Sequence, residues 1–190
     1  MGGSFCAFLD ASVLYPVSLR NLLMRLTLAG LYQARWSAHV HEEWIRSVLR
    51  DHPHIPAARL HELRDAMDER AEDSLVTGYE ALIESLTLPD PNDRHVLAAA
   101  IVTGADVIVT CNLRDFPEAA LDQYNIEAQH PDEFIRHMLD LSPVMVVDAV
   151  RRQQASLLKP PVGMKELLAL FERLGLAETV IELRHLLGIS

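Results

Sequence analysis

"DPNDRHVLAAAIVTGADVIVTCNLRDF", Asp90 to Phe116, decides the fold. Asp90-Pro91-Asn92-Asp93 reads as a helix start, with Asp at the N-cap, Pro at the first helical position and an acid in the first turn. From Val96 to Val102 the helix is apolar on nearly every side and is expected to be buried. Gly104 suits the left-handed residue that stops it. After a minimal turn, "DVIVT" reads as an interior strand. A buried helix feeding a continuous β-branched strand is the signature of a parallel α/β sheet.

Working outward, "SFCAFLD" (Ser4 to Asp10) is a run of strand length. Leu19, Leu22, Leu23 and Leu26 recur at helical spacing after Pro16, with Gly30 as a stop. A short strand is expected around Arg35 to Ser37. Val40, Trp44, Ile45, Val48 and Leu49 mark a helix ending before Pro53. Leu60, Leu63, Met67, Ala71 and Leu75 mark another. Ile126 to Ala128 reads as a last strand. Beyond His130 the pattern is all-helical, in four segments. The expected division is an α/β domain over 1–129 and a helical C-terminal extension over 130–190.

The composition is that of an ordinary globular chain. Hydrophobic residues are 49% of 190, enough for a sizeable core. The net charge of −10 argues against a protein that coats DNA without sequence preference. It leaves room for a nucleic-acid enzyme with a local basic rim. Cys6 and Cys111 are expected as buried free thiols rather than a disulfide framework. The first residues lack the layout of a secretory signal, and no apolar run approaches the ~20 residues of a membrane span. A reducing, cytoplasmic setting away from membranes is expected.

The acids fall in a pattern. Asp10 follows the first strand, and Asp115 follows "DVIVT". Asp93 opens the helix that feeds that strand. Glu42 and Glu43 are expected in the first turn of an earlier helix. In a parallel sheet, strand C-termini and helix N-termini share one edge, where ligands bind. Carboxylates gathered there repel: two about 5 Å apart by about 3 kcal/mol at an effective dielectric near 20. They need protons or a cation, and oxygen-only ligands select Mg²⁺ or Mn²⁺. Such a cation activates water and stabilises charge on a phosphodiester during in-line displacement. Arg46, Arg94 and Arg114 lie near the expected mouth and are candidate contacts to a phosphate backbone. Against this stands the plain reading that each acid caps a helix or opens a turn, Asp90 above all.

Other chemistries fit less well. His39, His41, His52, His54 and His61 cluster in sequence, but His39 and His41 diverge on a helix and no HExxH occurs. A phosphatase of the haloacid-dehalogenase kind wants an acid two residues after the first, where Ser12 stands. No Gly-rich phosphate loop follows the first strand.

"FLDASVLYP", "HVHEEWIRSVL" and the opening stretch, in that order, resemble the PIN-domain family and, within it, VapC-type toxin ribonucleases. The resemblance runs from Phe5 to about Ala128. It implies a Rossmann-like parallel sheet flanked by helices, and Mg²⁺- or Mn²⁺-dependent cleavage of RNA. By position it implies Asp10, Glu43, Asp93 and Asp115 as catalytic and metal-binding acids. Helical angle alone leaves Glu42 and Glu43 open. Thr110 and Asn112 match polar positions beside the metal, and some relatives carry an acid at Asn112, so either Asn112 or Asp115 stands nearer the ion. Ser12 is a supporting residue. The resemblance also implies an RNA substrate, a cognate antitoxin protein and a homodimer. The rival reading is a catalytically inactive interaction module.

Overall fold

The computed structural model describes residues 5–158 and 160–189. The chain divides into two compact units: residues 1–15 with 32–130, and residues 16–31 with 131–190.

The first unit is built on a parallel sheet. Its strands are β1 (Cys6–Leu9), β2 (Gln33–Ser37), β3 (Leu75–Val76), β4 (Val107–Val109) and β5 (Glu127–Gln129). Their spatial order is β3-β2-β1-β4-β5, all pairs parallel. Strand order reverses between β1 and β4, so a crevice opens beyond their C-terminal ends. Ala7, Phe8 and Leu9 face Val107, Ile108 and Val109 in register. Asp106 sets that register: its backbone N–H donates to the Cys6 carbonyl at 2.9 Å, and its carboxylate accepts from the Cys6 N–H at 2.8 Å. Both strands are buried throughout, as their apolar runs require.

The helices of this unit are α1 (Ala11–Leu14), α3 (Ala38–Asp51), α4 (Ala57–Arg70), α5 (Glu80–Ile83), α6 (Arg94–Thr103) and α7 (Glu118–Leu121), and α2 (Val17–Leu28) lies in the other unit. Helix α6 packs against β1, β2 and β4. Its residues His95 to Ala100 are buried, whereas Val102, expected inside, is 45% exposed. Gly104 ends the helix at φ 63°, and Ala105 N–H closes back on the Ala100 carbonyl.

Three local expectations need correction. The helix carried through Ala71 and Leu75 ends at Arg70, and Leu75 belongs to β3. The helix holding Glu42 and Glu43 starts at Ala38, capped by Ser37, so both acids lie past its first turn. Cys6 is buried as expected, but Cys111 lies just beyond β4 and is exposed.

The second unit joins α2 to α8 (Pro131–Leu141), α9 (Pro143–Ser156), α10 (Met164–Arg173) and α11 (Ala177–Leu187). Leu19, Leu22, Leu23 and Leu26 of α2 are fully buried, and α2 packs on α9 and α10. Asp132 ties α8 to α11: its carboxylate accepts from Thr179 N–H at 2.8 Å and Glu178 N–H at 3.0 Å. It thereby caps the otherwise uncapped start of α11. No helix among the described residues is long and apolar enough to cross a membrane.

Candidate active site

The site starts where β1 ends. Asp10 is 5% exposed, and its backbone N–H donates to the Val109 carbonyl of β4. One carboxylate oxygen accepts from Ala11 N–H at 2.7 Å, which makes Asp10 the cap of α1. The other accepts from Ser12 Oγ at 2.6 Å and Thr110 Oγ1 at 2.8 Å. Each hydroxyl in turn accepts a backbone amide: Cys111 N–H on Ser12 and Asn112 N–H on Thr110, both at 3.0 Å. A hydroxyl has one proton to give. Both protons go to Asp10, so the 3.3 Å approach of Ser12 to Thr110 carries no hydrogen bond of its own. The carboxylate is thus fixed by the loops leaving two adjacent strands.

Asp93 ends a 3-10 turn (Pro91–Asp93) that leads into α6. Asp90 takes the capping duty there, accepting from Asn92 N–H at 2.8 Å, while the Asp93 side chain makes no capping bond. Its carboxyl is pushed up to about 7, first by burial and then by Asp10, Asp90, Asp115 and Glu43. Carboxylates from four separate parts of the chain thus act on one group. Asp115 stands in a 3-10 turn (Leu113–Asp115) after β4 and is partly buried. The two glutamates differ in their surroundings. Glu43 bears on Asp93, whereas Glu42 is exposed and lines another groove with Arg46, His41 and Asp68. Asn112 is exposed, and its side chain makes no capping bond.

The arginines are dispersed. Arg94 Nε donates to the Pro91 carbonyl at 3.0 Å, and Arg114 is exposed in the turn that carries Asp115. Arg46 opens onto the groove beside Glu42, whose lining includes none of the acids named above for the rim.

A residue that sequence reasoning passed over also stands here. His95, in the first turn of α6, places Nε2 3.0 Å from Glu43 Oε1. The signal was a polar ring on a helix otherwise apolar at that depth. Among the other histidines, His41 is structural. Trp44 Nε1–H donates to its Nδ1 at 3.0 Å, and its Nε2 lies 3.0 Å from Asp68, which also accepts from Trp36 Nε1–H at 2.7 Å. Burial pushes the His41 pKa down, against the pull of Asp68.

Among the described residues, no group of three or more His, Cys, Asp or Glu side chains is placed so that it could hold a metal ion as it stands. The rim nevertheless suits a hard divalent ion in its chemistry: oxygen donors only, around an Asp93 carboxyl raised first by burial and then by repulsion from its acidic neighbours. A cation would offset that repulsion.

Comparison with known proteins agrees with this architecture. Residues 131–185 match the VapC50 C-terminal domain. A protein of Mycobacterium tuberculosis (strain ATCC 25618 / H37Rv) named "Putative ribonuclease VapC50" is 52% identical over 64 residues, which cover 34% of this chain and 37% of that protein. No solved structure matches the chain. Residues 6–114, more than half the chain, match the PIN domain. With a parallel sheet ordered β3-β2-β1-β4-β5 and acids gathered beyond β1 and β4, the chain belongs to the PIN-domain family.

Proposed function

We propose that this protein is a divalent-metal-dependent ribonuclease, the toxin of a toxin–antitoxin pair. The observation that carries this reading is the electrostatic convergence of Asp10, Glu43, Asp90 and Asp115 on Asp93, at the sheet edge where the PIN fold opens. The name of the mycobacterial relative supports RNA as substrate. Asp10, Glu43, Asp93 and Asp115 would hold Mg²⁺ or Mn²⁺. Such an ion supplies Lewis-acid charge and a more acidic water.

The chain's own residues do the rest. Ser12 and Thr110 keep the Asp10 carboxylate in a single orientation, with Asn112 N–H steadying Thr110 from the next turn. Asp93 carries no capping bond and so keeps its oxygens for the ion. Asp90 is assigned to the helix start. Arg94 and Arg114 neighbour the rim acids in sequence and are assigned to backbone phosphate, which a guanidinium fork fits. An antitoxin or a second copy needs apolar surface, and the second unit offers it: Leu28, Val144 and Leu186 are 52%, 78% and 39% exposed around a groove between α2 and α9. The division into a nuclease domain over 1–129 and an extension over 130–190 is kept as a proposal, with residues 16–31 folding beside the extension.

The test is purified protein against total RNA, with Mn²⁺ and with chelator. Discrete cuts are expected with Mn²⁺ alone, and none from a folded Asp10→Asn variant. Undiminished cleavage in chelator or by that variant would sink the metal mechanism. Complete inertness of the folded wild type in Mn²⁺ would favour the interaction-module reading.

A further inference from the structure

We propose that His95 is the positioning residue for Glu43, and that through this pair the first turn of α6 sets two of the rim acids at once. The proposal rests on the nuclease reading above.

Helix α6 begins at Arg94, so His95 sits two residues past Asp93 on the same turn. The imidazole is nearly enclosed, its side chain 9% exposed, among the apolar residues that face the sheet. A buried ring of this kind is costly unless its polar atoms are used. Nε2 is used: it lies 3.0 Å from Glu43 Oε1, reaching from α6 to α3 across 52 residues of sequence. Nδ1 finds no hydrogen-bond partner among the described residues. With a carboxylate oxygen at Nε2, that nitrogen is the one that donates. The ring therefore accepts one unpaired nitrogen in order to present an N–H to Glu43.

The ring is also backed. His39 stacks obliquely on it with centroids 5.2 Å apart, and His39 Nδ1 is 2.7 Å from Tyr79 Oη. Tyr79 is 2% exposed, which anchors the far end of this row. Glu43, by contrast, is a third exposed on a helix surface, with three side-chain torsions to fix. One hydrogen bond from a wedged imidazole selects its rotamer. It occupies Oε1 and leaves Oε2 for a cation. An outer partner that orients a ligating carboxylate commonly changes metal affinity by about 10- to 100-fold when removed.

The experiment is calorimetric Mn²⁺ titration of the full chain, wild type against His95→Phe, His95→Gln, Glu43→Gln and the His95→Phe/Glu43→Gln double variant. His95→Phe keeps a packed ring without the N–H and is expected to weaken Mn²⁺ binding about 10-fold. His95→Gln retains an amide donor and should recover most of that loss, which restored packing alone would not do. In the Glu43→Gln background, His95→Phe should cost nothing further, because the partner it positions is already neutral. On RNA, kcat should fall with KM nearly unchanged. Should Phe not fit, His95→Ala takes its place, and its loss must likewise vanish beside Glu43→Gln. Independent, multiplying losses in the double variant would overturn the pairing. So would wild-type affinity in His95→Phe while Asp10→Asn abolishes binding, and that result would leave the nuclease reading intact. A wild type that binds no Mn²⁺ overturns both.

Discussion

Thr110 Oγ1 donates to Asp10 Oδ2 at 2.8 Å, joining residues one hundred positions apart at the ends of neighbouring strands. Thr110 is fully buried and also accepts Asn112 N–H. Removing its hydroxyl while keeping its shape strands two partners at once. Thr110→Val should therefore destabilise the fold by about 1–3 kcal/mol in urea unfolding and weaken Mn²⁺ binding. Thr110→Ser should stay near wild type in both. A valine variant as stable as wild type would show that the bond contributes nothing.

Asp93 sets a pH dependence. Its folded pKa of about 7 lies above the ordinary 3.8, so between those values the folded state holds a proton that the unfolded state has released. The metal-free protein then loses stability as pH rises from about 4 through 7, and the loss is complete above that range. In chelator at pH 8, Asp93→Asn should melt a few degrees above wild type, the gap closing toward pH 4. Saturating Mn²⁺ should reverse the order, raising only the wild type appreciably. Parallel melting curves across that range would contradict the convergence of acids.

His41 should act in the opposite sense. Its folded pKa lies below the ordinary 6.5, because burial disfavours the charge and outweighs the pull of Asp68. Stability associated with this group is present above about 6.5 and is lost as pH falls below it, by at most about 1.4 kcal/mol per pH unit. His41→Gln should flatten that acid limb relative to wild type. Urea midpoints between pH 5 and 7.5 measure it, and identical slopes would remove His41 from the account.

Truncation tests the discontinuous second unit. Ending the chain at His130 removes α9 and α10, which cover the buried leucines of α2. Each exposed leucine forfeits about 1.5–3 kcal/mol. The fragment should bind hydrophobic dyes and aggregate, as light scattering would report. A soluble fragment melting like the full chain would show that α2 does not need its partners.

Much of this was legible in the residues. Continuous apolar runs announced β1 and β4, and Gly104 marked where α6 stops. Strand-end acids pointed to the rim because parallel topology sends such ends to one edge. What escaped has physical reasons. Strand β3 is only Leu75–Val76, too short for any period, so Leu75 was absorbed into the preceding helical pattern. Glu42 and Glu43 are neighbours about 100° apart on a helix, and only the placement of α3 against α6 separates them. An apolar face on α2 says that it needs cover, not which segment supplies it. His95 and His41 are both buried with one carboxylate partner; the apolar run that follows His95 hinted at its burial, and nothing local did so for His41.

The parallel sheet also carries a timetable. As the ribosome extends the chain, Asp10 emerges a hundred residues ahead of Thr110, and β4 has to insert beside β1 before the two can meet. An unfinished polypeptide therefore has no assembled rim and, on the proposed nuclease reading, nothing with which to cut the message being translated.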